Sequence, residues 1–205
     1  DRTISEAGLK AYEKEKQRLT KELDNAQHEL AQSSGDGLDL ADIVGGGNGT
    51  GNGATGHGLD PRSAKVRTRY FGALGNVVTN QFNPSPFDFV DGVFIPDGKG
   101  GSAKIPVSST GLTVTGLPKT SGNAWDMIRN GPVASQHSTK LDGIDFKDAN
   151  HSLLGIHANA GITFSLDAFR KALGQADLRF TAQVGYFGSG TNFRASAWVV
   201  IDGKI

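Results

Sequence analysis

The chain has 205 residues, with 21 basic side chains against 21 acidic ones, five histidines and no cysteine. The zero formal charge gives a polyanion no global attraction, which argues against nucleic-acid binding. No apolar run reaches the roughly 18 residues of a membrane span, and the lack of cysteine removes disulfides, thiolate metal sites and cysteine nucleophiles. Glycine is abundant, 29 residues or about twice average usage, so many tight turns and an open loop are expected.

Thr3-Ile4-Ser5-Glu6 forms a Thr-x-x-Glu capping box. It predicts a helix over 4–32, inside a helical arm of residues 1–34. Leu9, Tyr12, Lys16, Leu19, Leu23, Ala26 and Leu30 recur at alternating steps of three and four, a heptad seam with one polar break at Lys16. Charged residues, Glu13 to Glu15, Arg18, Lys21 and Glu22 among them, cover the remaining surface. Such a helix is a coiled coil that pairs with another chain, or an amphipathic helix packed on its own domain.

A Gly-rich entry follows, with ten glycines among positions 35–58. Leu38, Leu40, Ile43 and Val44 precede the densest part and read as a strand or turn. Over 67–205 the expected strands are 69–74, 76–81, 89–95, 104–107, 112–115, 161–166, 178–186 and 193–202. Short strands separated by Gly, Pro and Asn turns point to an all-β sandwich. The last two carry the clearest signal: Leu178, Phe180, Ala182 and Val184 alternate with Arg179, Thr181 and Gln183. A short helix over 168–173 is expected to start from Asp167 as its cap. The body is thus 35–205.

Gly51-Asn52-Gly53-Ala54-Thr55-Gly56 fits the G-x-G-x-x-G spacing, but Pro61 and the turn formers around it exclude the helix that a dinucleotide site needs. The Gly-Asn run lacks the carboxylates of a calcium repeat. A better calcium candidate is Asp142, Asp145 and Asp148, which recur every three residues and offer hard oxygen ligands. None of His28, His57, His137, His151 and His157 has the spacing of a helical zinc pair. No Gly-x-Ser-x-Gly elbow occurs and no spacing selects a carboxylate pair, so a non-catalytic role is expected.

The segment 117–143 is polar, irregular and long, as functional loops are. Trp125 offers a flat apolar face for the C–H face of a sugar. Asp126, Arg129, Asn130, Gln136 and His137 offer directional hydrogen bonds to hydroxyls, and His157 and Asn159 complete the candidate ligand set. Trp125 could equally be a core residue, and Trp198, in the alternating run 195–201, reads as core or sheet face.

Gly155-Ile156-His157-Ala158, then Ile162 to Asp167, then Val199-Val200-Ile201-Asp202-Gly203-Lys204 resemble the ending of the NPCBM carbohydrate-binding modules. That similarity covers mainly 151–204. Asp39 to Gly49, Phe89 to Pro96, Ser108 to Leu112, Gly131-Pro132-Val133 and Gln136 to Thr139 resemble a module of large secreted planctomycete proteins that also carry cytochrome-c-like domains. The resemblance implies a galactose-binding-like jelly-roll β-sandwich that binds glycans or polysaccharides, in a secreted or periplasmic protein. The Gly-rich entry and the long 117–150 stretch depart from the pattern. The chain starts just ahead of an expected helix and stops after an expected strand, as a segment flanked by further domains would. The leading expectation is a carbohydrate-binding module behind an N-terminal helical arm. The alternative is a structural domain that oligomerises through the helix.

Overall fold

The computed structural model describes residues 6–33, 37–70, 72, 78–132, 138–147, 152–188 and 195–205. The chain divides into two units, Asp1–Gly37 and Leu38–Ile205. The first is one helix, α1 (Glu6–Ser33), of 28 residues. Arg18 bonds Glu15 at 2.5 Å and Glu22 at 2.6 Å, so one guanidinium ties two turns of its surface together. The capping residue Thr3 lies outside the described residues. No described helix is long and apolar enough to cross a membrane.

The second unit opens with α2 (Leu40–Val44), not the expected strand or turn. Asp39 explains the difference: its carboxylate accepts from Ala41 N at 2.8 Å and Asp42 N at 3.3 Å, which satisfies the first orphan amides of a helix. The strands that follow are short: β1 (Gly58–Leu59), β2 (Val66–Arg67), β3 (Phe82–Pro84), β4 (Val90–Phe94), β5 (Ile105–Pro106), β6 (Thr113–Val114), β7 (Ile128–Asn130), β8 (Lys140–Leu141), β9 (Ile144–Asp145), β10 (Leu154–Gly155) and β11 (Gly161–Phe164). The closing helix is α3 (Leu166–Leu173). Its cap is Ser165, whose hydroxyl accepts from Ala168 N. Asp167 instead sits in the first turn and pairs with Arg170 at 2.9 Å.

The unit is β-rich, and its ladders are antiparallel. One sheet has the order β10-β7-β1-β2, with Gly58 opposite both Arg67 and Arg129. A second has the order β11-β4-β3, with Val93 between Ile162 and Asn83. The two β5-β6 and β8-β9 pairs stand apart. Leu59 and Ile128 from the first sheet meet Val90 and Val93 from the second, and Ile43, Val44 and Phe169 from the two helices close the same core. A satellite core of Ile105, Val107 and Val114 lies under Phe94, Leu117 and Val200.

Asp60 pins the β1–β2 turn. It is buried, and Arg62 and Arg67 bond its Oδ2 at 2.7 and 3.0 Å. Burial opposes its charge, but the Arg62 side chain and backbone and the Arg67 side chain outweigh that, so its carboxyl is held below the usual carboxylate range.

Three further expectations differ from the structure. The strongest strand signals, 178–186 and 193–202, give no ladder among the described residues; only an Ile201–Lys204 bridge forms. Phe180, Val184, Trp198 and Ile201 are exposed, although Leu178 and Val200 do reach the two cores. Alternation encodes which side chains share a face, but a ladder also needs a partner edge at the right spacing. Second, the stretch 117–143 is not all loop. It contributes β7, which lies between β1 and β10 and carries the fully buried Ile128. Third, Trp198 is not core. The described residues of the expected strands 69–74 and 76–81, namely 69, 70, 72 and 78–81, lie in no strand.

Candidate functional site

Tyr70, Trp125 and His157 come together on the surface. Trp125 is 41% exposed and Tyr70 43%, so both rings are open to solvent. The indole Nε1–H donates to the Tyr70 hydroxyl at 3.1 Å, which fixes the ring's orientation without covering its face. The His157 ring lies 6.1 Å from the indole, inclined at 31°. The three rings form an aromatic platform from segments far apart in the chain.

Local geometry explains why Trp125 is held outward. The next residue, Asp126, is fully buried with φ of 56° and donates its backbone N–H to the Gly72 carbonyl at 2.8 Å. Left-handed backbone at a non-glycine residue is uncommon and marks a sharp reversal. Buried Asp126, Met127 and Ile128 anchor the chain there, and Trp125 projects from that anchor. Asp126 therefore supports the platform from beneath and does not face solvent.

The 157–159 turn is fixed separately. Asn159, at φ of 61°, donates its Nδ2–H to the Pro96 carbonyl at 2.9 Å, and its Oδ1 accepts from Thr120 Oγ1 at 2.8 Å. The amide is used in positioning His157. Tyr70 and Thr120 were not singled out by the sequence. Tyr70 belonged to an expected strand, and its 55-residue separation from Trp125 leaves no local signal.

Arg129 and Asn130 belong to β7 and serve the Gly-rich loop. An ideal Cβ on Gly56 would lie 2.7 Å from Arg129 Nη2, and one on Gly45 would lie 2.8 Å from Asn130 Nδ2. The loop is organised around Asp42, which is 3% exposed. Its carboxylate accepts from Gly49 N at 2.7 Å and Gly53 N at 2.5 Å, and its carbonyl accepts from Gly47 N at 2.9 Å. The glycines are thus needed for close approach to one carboxylate, not for holding a phosphate. Gln136 and His137 lie outside the described residues.

Of the calcium candidates, Asp142 occupies the β8–β9 turn with φ of 50°, and Asp148 lies outside the described residues. Asp145 accepts from Thr139 Oγ1 at 2.6 Å and from Lys147 N at 3.1 Å. The Thr139 hydroxyl, followed by the Lys147 amide, holds its carboxyl below the usual range. Among the described residues no group of three or more His, Asp or Glu side chains is arranged to hold a metal.

A shallow cleft of about 200 Å³ lies between Ile43, Gly46 to Asn48 and Pro86 to Phe89. That is below the roughly 300 Å³ at which small-molecule pockets begin, so the exposed platform is the better ligand surface. Comparison with known proteins finds no matching family model, no similar curated protein and no similar solved structure.

Proposed function

We propose that the body is a non-catalytic carbohydrate-binding module of the galactose-binding-like jelly-roll type, which brings a larger secreted or periplasmic protein to a glycan or polysaccharide. The observation that carries this reading is the exposed Trp125 indole, fixed by Tyr70 and flanked by His157. A pyranose ring presents an apolar C–H face that stacks on an indole, while its hydroxyls need donors and acceptors at the rim. Trp125 supplies the face, and Tyr70 Oη and the His157 imidazole supply the rim. A flat, open platform suits an internal stretch of a polymer, bound weakly at each site. The resemblance of residues 151–204 to NPCBM endings agrees with a sugar ligand, and His157 belongs to that stretch.

A screen of immobilised polysaccharides and glycans tests the reading, run once with calcium and once with chelator. Retention on a defined polysaccharide, lost in Trp125→Ala with the fold intact, is the expected result. Calcium dependence of that retention would give the Asp142 and Asp145 turn a metal-binding role. A blank in both buffers on folded protein would overturn the proposal.

A further inference from the structure

We infer that α1 is one strand of a parallel, in-register two-stranded coiled coil, and that its partner is a second copy of this chain. The described apolar seam residues Leu9, Tyr12 and Leu19 are 50%, 65% and 51% exposed. A 28-residue helix, about 42 Å long, draws most of its stability from packing its apolar face, and its heptad seam suits a partner helix.

The spacing assigns heptad positions. Leu9, Lys16, Leu23 and Leu30 take a, while Tyr12, Leu19 and Ala26 take d. A shallow groove of about 310 Å³ runs along this face, lined by Tyr12, Glu15, Lys16, Leu19 and Thr20. The first four are d, g, a and d, the set that surrounds an incoming a-position knob from a parallel partner.

Charge selects the orientation. Glu15, Glu22 and Glu29 all take g. An antiparallel pair sets g against g on one flank and e against e on the other, and would align glutamates along the g flank. A parallel pair sets g against the partner's e, which places Glu15 opposite Thr20 and Glu22 opposite Gln27, with no like-charge contact. Lys16 at a lies beside Glu15 of the second copy. A single polar a residue of this kind fixes register and favours two strands. The inference is independent of what the body binds.

The test uses the full chain. Light scattering across a dilution series is expected to give twice the 21.5 kDa of one chain at high concentration. Leu19→Glu is expected to run as a monomer with the body's near-ultraviolet dichroism unchanged, whereas Lys14→Glu, on the outer face, stays dimeric. The chain has no cysteine, so Lys16→Cys gives a clean probe of orientation: only a parallel in-register pair sets the two sulfurs together. Quantitative disulfide cross-linking on oxidation is expected. A monomer at every concentration, a trimer or larger, a dimer that survives Leu19→Glu, or a Lys16→Cys dimer that does not cross-link would each overturn the inference.

Discussion

Asp42→Ala tests whether one carboxylate holds the Gly-rich loop. Asp42 accepts from Gly49 N at 2.7 Å and from Gly53 N at 2.5 Å. A hydrogen bond to a charged group contributes about 1.5–3 kcal/mol net, and an orphaned buried donor costs a further desolvation penalty. Gly49 is buried, so its amide would take that penalty in full; Gly53 is half-buried, so water relieves part of it. The expected loss is about 3–5 kcal/mol. For a chain of this size each kcal/mol moves the midpoint by about 2–4 °C, so Tm should fall by about 6–20 °C. Urea unfolding followed by circular dichroism gives the free energy directly. Thr50→Ala, an exposed change in the same loop, should cost about 0.5 kcal/mol or less. A loss below about 1 kcal/mol in Asp42→Ala would refute the argument, because the loop would then be held by something else.

Three further outcomes are expected. An ideal Cβ on Gly58 would lie 2.0 Å from the Ile128 carbonyl oxygen, so Gly58→Ala must separate β1 from β7 and should cost about 3 kcal/mol or more, whereas Gly101→Ala meets only the left-handed backbone penalty of about 1–2 kcal/mol; paired urea titrations distinguish them. Asp60 has a carboxyl lowered in the folded state, so the unfolded chain takes up its proton first. Its contribution is therefore present above the unfolded value of about 3.9 and lost as pH falls through the folded value. Stability measured from about pH 6 to about pH 3 should drop less steeply in Asp60→Asn, and an unchanged acid limb would show that the ion cluster does not contribute there. Tyr70→Phe removes the acceptor for Trp125 Nε1 in an exposed setting. Stability should change by about 0.5 kcal/mol or less, while affinity for a retained polysaccharide falls by a factor of about 2–5 as the indole loses its fixed orientation.

Much of the fold is written locally. The seam around Leu9, Tyr12 and Leu19 and the Glu6 start signal locate α1, and the apolar pattern around Val90, Ile105, Val114 and Ile162 locates β4, β5, β6 and β11 within a residue or two. β7 was not legible, because Ile-Arg-Asn has no alternating signature and becomes a strand through its neighbours β1 and β10. The reverse failure lies at 178–186 and 195–202, where clear alternation is present and no ladder forms among the described residues. The site divides in the same way. Trp125 could be chosen as a flat apolar face among polar residues. That Tyr70 fixes the indole could not be read, since the contact spans 55 residues. The buried state of Asp126 depends on a left-handed turn that its own side chain does not announce.

Affinity measurement of the Trp125→Ala chain against wild type, on a polysaccharide the wild type retains, tests the central claim most directly. The variant should fold as before, because Trp125 is 41% exposed and belongs to neither of the two apolar cores. Its affinity should fall about tenfold or more, corresponding to about 1.4 kcal/mol of stacking. A folded Trp125→Ala that binds the same polysaccharide with unchanged affinity would contradict the account and place recognition elsewhere on the body.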